Sequence, residues 1–191
     1  MRSLIWLVFL FFLLPGTLAA RDVPWVEIFG GYSYFRMPSG IYFDVDHITD
    51  ESASLNGWNV TVTGNFNRWL GAEFDFGGYS GTVKAHSARH GGSYPMSMDV
   101  RSYLFGPRLS YRGDRRFTPF VHALFGTVGL GNEPLYGHSV YPFGLALGGG
   151  FDINVVRHVA IRAIQADYVR SLLGTSGENN LRLSFGAVLR F

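Results

Sequence analysis

The chain has 191 residues and a formal net charge of +2, from 16 basic and 14 acidic side chains. Aromatic residues make up 16% of it, glycine contributes 25 residues, and cysteine is absent. This length suits one domain. The small, evenly spread charge argues against a nucleic-acid-binding protein, and the lack of cysteine excludes disulfides as a source of rigidity.

The first 20 residues have the pattern of a secretory signal peptide. Arg2 gives a basic start, residues 4–14 form an apolar run, and residues 17–20 offer small side chains for cleavage. The apolar run is shorter than the roughly 20 residues that a spanning helix needs. We expect cleavage after Ala19 or Ala20, and we take residues 21–191 as one domain.

After this segment, apolar and polar residues alternate in a way that predicts β-strands with one apolar face. The clearest example has Trp58, Val60 and Val62 alternating with asparagine and threonine. Eight strands are predicted, over residues 26–35, 57–67, 71–79, 100–112, 118–129, 143–155, 159–172 and 180–191.

The alternation slips once, in the seventh predicted strand. Arg162 has one parity, whereas Gln165 and Asp167 have the other. A β-bulge adds one residue to a strand and reverses the parity beyond it. We therefore predict a bulge near Ala163 and Ile164 that returns all three polar side chains to one face.

The connections between the predicted strands alternate in length. Short turns at residues 68–69, 113–116 and 157–158 alternate with longer polar segments at residues 37–56, 80–99, 130–142 and 173–179. Short turns at one end and long loops at the other are typical of membrane β-barrels. An even number of strands places both termini at the turn end.

The two strand faces distinguish a membrane barrel from a soluble one. A soluble secreted barrel is apolar inside, whereas a membrane barrel is apolar outside. Here one face is dense in large apolar residues, and the other carries too many charges for a dry core. We therefore predict an all-β, eight-stranded antiparallel up-and-down transmembrane β-barrel. Its expected interior charge network is Glu27, Glu73, Asp75, Arg108, Arg112, His122, Asp152, Arg162, Asp167, Arg182 and Arg190.

The charge balance of this network predicts a closed interior. Apart from His122, it contains five acids and five arginines. An eight-stranded barrel is only just wide enough for its own side chains. Salt bridges between these groups would plug the barrel. A narrow porin-like channel is the alternative, and it would require the charges to line water.

Six short motifs lie in or beside the predicted strands: FGGYSY (29–34), NFNRWLG (65–71), GPRLSY (106–111), TPFV (118–121), LGGGFD (147–152) and RLSFGAVLRF (182–191). Together they resemble the small bacterial outer-membrane β-barrel family, the transmembrane part of OmpA-like and OmpX-like proteins. The resemblance covers residues 21–191 and includes no peptidoglycan-binding domain.

The resemblance implies a place and partners for the chain. It implies the bacterial outer membrane, with both termini periplasmic, and contact with membrane lipid and lipopolysaccharide. In that family a terminal aromatic, here Phe191, is part of the signal read by the barrel assembly machinery.

Metal and cofactor sites are not predicted. His86 and His90 are four residues apart in a predicted loop, and His47 and His138 lie in other loops. That spacing suits a metal site on a helix, but this loop is rich in glycine and serine. We expect solvated loop histidines. A partial glycine fingerprint at residues 126–131 lacks the helix that a nucleotide site needs.

A catalytic site is not predicted either. Some eight-stranded outer-membrane barrels are lipid A hydrolases with a histidine, a serine two residues later on the same face, and an acid. This chain has His122 but Leu124 where that serine would stand. The carboxylates of Glu73 and Asp75 have arginines available as partners. A lipid A-modifying enzyme therefore remains only a second alternative.

The long loops are the expected functional surface, because a rigid scaffold presents them. The sequence predicts a non-enzymatic monomer with a structural or adhesion-like role and an external ligand that the residues do not identify. The candidate loop contacts are Ile41, Tyr42, Phe43, Tyr94 and Met96. The other interpretation of these five residues is that they extend the strands above the membrane.

Overall fold

A computed structural model of the chain describes residues 23–37, 41–44, 47–49, 52–87, 92–114, 116–130, 141–171 and 178–191. Within them no helix is long and apolar enough to cross a membrane. The predicted signal peptide lies outside these residues. The strands are β1 (Val26–Met37), β2 (Ile41–Asp44), β3 (His47–Thr49), β4 (Ala53–Asn65), β5 (Leu70–Ser87), β6 (Gly92–Ser110), β7 (Phe117–Leu130), β8 (Phe143–Val156), β9 (Val159–Ser171) and β10 (Glu178–Arg190).

Eight of these strands form a closed antiparallel barrel, as the sequence predicts. The order around the wall is β1, β4, β5, β6, β7, β8, β9 and β10, and β1 also pairs with β10. The β1–β10 pairing therefore closes the circle, and β5 pairs with β6 within it. Closure leaves no barrel strand with an unpaired edge along the wall, which is what a spanning sheet requires.

The two ends of the barrel differ. The turn end holds the start of β1, the end of β10 and the short connections β4–β5, β6–β7 and β8–β9. The loop end holds the other connections. The β4–β5 turn is stabilised by Asn67, whose Oδ1 accepts hydrogen bonds from the backbone N–H of Trp69 at 2.9 Å and Leu70 at 2.8 Å. Strand β4, which corresponds to the second predicted strand, therefore ends at Asn65, two residues before the predicted end.

The predicted loop over residues 80–99 is wrong. Strands β5 and β6 have 18 and 19 residues and stay paired from Leu70 and Leu109 to Ser87 and Gly92. The other barrel strands have 12 to 14 residues. Antiparallel pairing uses backbone groups alone, so small polar residues can continue it without an apolar face.

This hairpin projects beyond the rim at the loop end and is joined by a second one. Strands β2 and β3 pair with each other, and β3 continues onto β5 through His47 with Ser87 and Ile48 with His86. The predicted first loop over residues 37–56 therefore contains regular strands. We call this four-stranded extension the outer sheet: β2, β3, Ser80 to Ser87 of β5, and Gly92 to Asp99 of β6.

The predicted bulge in β9 is confirmed. Phe151 pairs with Ile164, but Asp152 pairs with Arg162, so Ala163 is an extra residue. The pairing with β10 shifts at the same place. Ala163 and Ile164 both face outward, and the polar side chains on either side of them return to the interior.

The outer wall is apolar and rich in aromatic residues. Trp58 is 54% exposed, Phe74 49% and Phe185 56%, although each belongs to a regular strand. Rings also pack across neighbouring strands, for example Phe105 with Phe125 at a centroid distance of 4.2 Å. A wall of exposed large apolar side chains matches lipid, not water.

Candidate functional site: the barrel interior

The interior has two halves of opposite chemistry. Charged and polar side chains fill the half toward the turn end and the middle of the barrel. Apolar side chains fill the half toward the loop end. All eleven residues of the expected charge network project inward, and most are less than 2% exposed. The structure brings them into one connected cluster.

Arg108 of β6 is a central member of this cluster. Its Nη1 lies 3.0 Å from Oε2 of Glu73, and its Nη2 lies 3.2 Å from Oδ2 of Asp152. Its guanidinium also stacks 3.9 Å from the ring centre of Phe120. A buried arginine is tolerated only with such paired carboxylates, so Arg108 joins strands β5, β6 and β8 across the lumen.

Arg182 of β10 forms a second centre. Its Nη1 lies 2.7 Å from Oδ1 of Asp75, and its Nε lies 2.7 Å from Oδ2 of Asp167. Asp75 is also held by the side-chain amide of Asn59 at 3.0 Å. The partners come from β4, β5 and β9, so this centre joins four strands of the wall.

His122 links the two centres. Its Nδ1 lies 2.8 Å from Oε1 of Glu73 and its Nε2 lies 2.7 Å from Oδ1 of Asp167. A carboxylate only accepts hydrogen bonds, so a ring that donates to both is an imidazolium. Both ring nitrogens are then occupied, and neither is available as a base for the serine nucleophile of the hydrolase alternative.

The turn-end part of the cluster is organised by Glu27. Its carboxylate lies 3.1 Å from Nη2 of Arg112 and 2.8 Å from Nε of Arg190. Below it, Arg162 pairs with Asp152 at 2.9 Å and donates to Gln165 at 2.7 Å. The network therefore runs without a break from mid-barrel to the turn end.

Gly148 makes room for this network because it has no side chain. A Cβ atom there would lie 2.0 Å from Oδ1 of Asp167 and 2.5 Å from the backbone oxygen of Ala166. Gly148 is the strand partner of both His122 and Asp167. Only glycine lets the histidine and the carboxylate meet across β8.

The loop-end half is closed by apolar side chains, which sequence reasoning missed. We call this the apolar seal: Phe35, Met37, Ala53, Leu55, Tyr79, Val83, Met98, Val100, Leu104, Leu124, Val128, Ala146 and Val169. Each of them is at most 6% exposed. The signal was present, because Phe35 and Leu124 share strand parity with the charged interior residues Glu27 and His122. The prediction of a polar interior needs correction here: it holds for one half only.

The expected charge network contained no uncharged members, although the predicted bulge had already placed Gln165 on its face. Thr63 donates to Glu73 at 3.1 Å, and Gln165 donates to Asp167 at 2.8 Å. Tyr79 lies at the boundary, where its hydroxyl approaches Arg182 at 3.4 Å and its ring packs on Phe35 at 4.8 Å. Tyr79 shares strand parity with Glu73 and Asp75, and that parity was the available signal.

The loop contacts expected from the sequence have different outcomes. Met96 is half-buried and packs against the apolar seal, so only part of its side chain faces outward from the seal. Ile41, Tyr42 and Phe43 lie on β2 and Tyr94 on β6, but their side chains lie outside the described part of the chain. Phe191 is 65% exposed, and its backbone oxygen accepts the N–H of Trp25 at 2.6 Å.

The expected loop histidines lie mostly beyond what the structure describes. His47 and His86 lie on paired strands without described side chains, and His90 and His138 are outside the described residues. Among described residues, no group of three or more histidine, aspartate or glutamate side chains could hold a metal ion.

No protein-family model matches the chain, and no curated protein matches its sequence. Solved structures share its fold. The outer membrane protein OprG from Pseudomonas aeruginosa matches with a TM-score of 0.64 at 13% identity, over 90% of this chain and 97% of that chain. Neisserial surface protein A matches with a TM-score of 0.54 at 16% identity, over 87% and 97%.

A third match is Ail, the attachment invasion locus protein of Yersinia pestis, solved with the heparin analogue sucrose octasulfate. It gives a TM-score of 0.52 at 20% identity, over 87% of this chain and 97% of that chain. At such identities the likeness establishes the fold. The chain has the fold of the small eight-stranded outer-membrane barrels, which confirms the resemblance drawn from its motifs.

Proposed function

We propose that this chain is an integral protein of the bacterial outer membrane, with a structural or surface-interaction role and no open pore. After removal of a signal peptide at Ala19 or Ala20, its eight strands span the membrane with both termini in the periplasm. The apolar outer wall supports the membrane placement, and the short turns support the orientation.

The apolar seal is the main support for the proposal that the barrel has no open pore. Leu55 and Leu124 are completely buried at the loop end, and Val100 and Val128 are 1% exposed. Ions would have to leave water to cross this layer, and an apolar constriction blocks conduction by excluding water. The charged network lies on the turn-end side of the seal, so its polar side chains do not give ions a path through the seal.

Single-channel recording tests this proposal. Residues 21–191 are refolded and inserted into planar bilayers, and folding is verified beforehand by the shift in gel mobility on heating. Silence or brief small flickers are expected. Steady, well-resolved openings would overturn the closed state and replace it with the porin-like alternative.

The outer sheet is the surface that we propose for external contacts. The β5–β6 pairing continues for eight residue pairs, from Ser80 with Asp99 to Ser87 with Gly92, and Val83 and Met98 at its base still face the apolar seal. A paired hairpin is a more rigid support than an open loop. Ail, which shares the fold, is named for attachment and was solved with a sulfated ligand, which supports a role of this kind.

An epitope tag tests the orientation on which this role depends. A tag inserted between residues 89 and 90 should be labelled on intact cells. A tag placed before residue 23 should be labelled only after the outer membrane is permeabilised. The reverse pattern would overturn the proposed orientation.

Lipopolysaccharide is the proposed lipid partner at the loop end. Three strands carry an outward tyrosine with an arginine two residues nearer the loop end: Tyr34 and Arg36, Tyr103 and Arg101, Tyr168 and Arg170. None of these arginines pairs with a carboxylate among the described residues. Tyrosines mark a membrane interface, and arginines just beyond it suit lipid phosphates.

The double variant R36S/R170S tests this partner, with R68S/R157S at the other end as the matched control. Mass spectrometry of the purified protein should show less retained lipopolysaccharide for the first variant alone. Equal retention by all three proteins would contradict the assignment.

Two further proposals concern assembly and catalysis. Phe191 is proposed as the part of the assembly signal that the assembly machinery reads. Phe191→Ala should then reduce insertion in cells without changing refolding of the purified chain.

The protein is also proposed to be non-enzymatic, so lipid A mass spectra should have the same acyl pattern with and without it.

A further inference from the structure

The turn end of the barrel opens into a cavity of about 650 Å³. Its lining comes from every connection at this end. Arg68 lies in the β4–β5 turn, Arg112 in the β6–β7 turn, Arg157 in the β8–β9 turn and Arg190 at the end of β10. These four positions lie around the whole circumference, so the arginines surround the mouth.

The cavity carries excess positive charge. Asp114 is the one carboxylate among its described lining residues, and its Oδ1 accepts the backbone N–H of Arg116 at 2.6 Å. Arg112 and Arg190 share the carboxylate of Glu27 beneath them. Arg68 and Arg157 have no carboxylate partner within the part of the chain that the structure describes.

The arginines at the floor are held in place by the network below. Nη1 of Arg112 donates to the backbone oxygen of Arg68 at 2.8 Å, and Nη2 donates to the side-chain oxygen of Asn65 at 2.9 Å. The side chain of Arg190 is 8% exposed and also donates to the side-chain oxygen of Asn154. Fixed guanidinium groups lose little freedom when they bind an anion, which favours binding.

We propose that this mouth is a binding site for a phosphate group. Guanidinium groups pair with phosphate oxygens in bidentate geometry, and a ring of arginines selects anions. Fixed Arg112 and Arg190 would hold the phosphate from below, and Arg68 and Arg157 would close on it from opposite turns. The volume also accommodates an organic group attached to the phosphate.

The floor makes this a binding site and not an entrance to a channel. The Glu27 ion pairs lie directly below the cavity, and Phe29 and Phe120 pack around Arg162 beyond them at 4.2 and 4.4 Å. The apolar seal follows. A phosphate-bearing molecule can enter from the turn end but has no path through the barrel.

Titration with inorganic phosphate tests the site. Refolded residues 21–191 in micelles of a phosphate-free detergent are followed by the backbone amide NMR signals of Gly113, Asp114 and Arg157. Saturable shifts of these signals are expected, with no comparable change in sodium chloride of equal ionic strength. Linear shifts without saturation, or equal shifts in chloride, would overturn the proposal.

Two double variants distinguish the site from general attraction to a basic protein. R68Q/R157Q removes two arginines that make no interior ion pair, so the barrel should still fold, and phosphate affinity should fall at least tenfold. K84Q/R89Q removes the same charge from the β5–β6 hairpin, far from the turn end, and it should bind as the parent does. Equal loss in both variants would refute a localised site.

A third arm identifies the source of the phosphate. The titration is repeated in nanodiscs of phosphatidylcholine with and without phosphatidylglycerol. Unchanged affinity in both indicates a soluble phosphate compound, whereas competition by phosphatidylglycerol indicates a lipid headgroup. Either result supports a phosphate site, whereas loss of saturable binding in both kinds of nanodisc would overturn it.

Discussion

Asp167 and Arg182 are direct partners across strands β9 and β10, and their side chains meet inside the barrel with 2.7 Å between Oδ2 and Nε. The same carboxylate also binds the ring of His122 and the amide of Gln165. One aspartate thus satisfies three buried groups. The stability of this half of the barrel depends on such shared partners.

Asp167→Asn should strongly destabilise the barrel. The change removes the negative charge and leaves Arg182 and His122 with less compensation in a buried site. Breaking a buried pair from one side costs about 3–5 kcal/mol. The measurement is urea unfolding of the refolded chain in lipid vesicles, followed by tryptophan fluorescence.

Asp99→Asn is the matched control, because Asp99 is exposed on β6. Its effect should stay below about 0.5 kcal/mol. If the two variants unfolded at the same urea concentration, the shared-partner account of Asp167 would be wrong.

Gly148→Ala should also destabilise the barrel, for a steric reason. The added methyl group would meet Asp167 and the backbone of Ala166 at distances below van der Waals contact. Overpacking of this kind costs about 1–3 kcal/mol. Gly30→Ala is the control, since a Cβ there has no neighbour within 4 Å. The same unfolding assay should leave that variant at or slightly above parent stability.

The closed barrel could be predicted from the sequence because strand periodicity reports the two faces directly. The slip between Arg162 and Gln165 even located the bulge. The sequence left the β5–β6 segment open between a loop and an extension of the strands, because backbone pairing continues through small polar residues that also suit a loop. The charged half of the interior followed from parity, but the partners of each charge depend on which strands face each other across the lumen.

The apolar seal was hidden by a different cause. Phe35, Leu104 and Leu124 are apolar residues on the inward face, where a membrane barrel is expected to be polar. Within a single strand they look like irregularities in the alternation of apolar and polar residues. Only the strand registers show that they lie at the same end of the barrel and contact one another.

Leu124→Ala should test how tightly the seal is packed. Leu124 is 0% exposed within the seal, and truncation of a buried leucine costs about 2–5 kcal/mol. Leu147→Ala on the outer wall is the control, because Leu147 is 47% exposed and faces lipid. Lipid can fill the space that this change leaves, so a cost of about 1 kcal/mol or less is expected by urea unfolding. Equal costs would mean that the seal is loosely packed.

Deletion of Ala163 should prevent folding. Without the extra residue, the parity of β9 on one side of the bulge reverses, and either Arg162 or the pair Gln165 and Asp167 would face lipid. The heat-dependent gel shift of the refolded chain should disappear. Ala163→Leu keeps the bulge and adds an outward apolar side chain, so its gel shift should persist. A folded deletion variant would show that the bulge is dispensable.

The division of the interior into a charged half and an apolar half matches the direction in which a barrel of the proposed orientation would insert. In the proposed orientation the loop end must cross the hydrocarbon layer first, and its inward side chains are the apolar ones. The inward arginines and carboxylates follow behind and come to rest nearer the compartment from which the chain arrives. The part of the interior that travels farthest through lipid therefore carries the fewest charged side chains, which are costly to place in hydrocarbon.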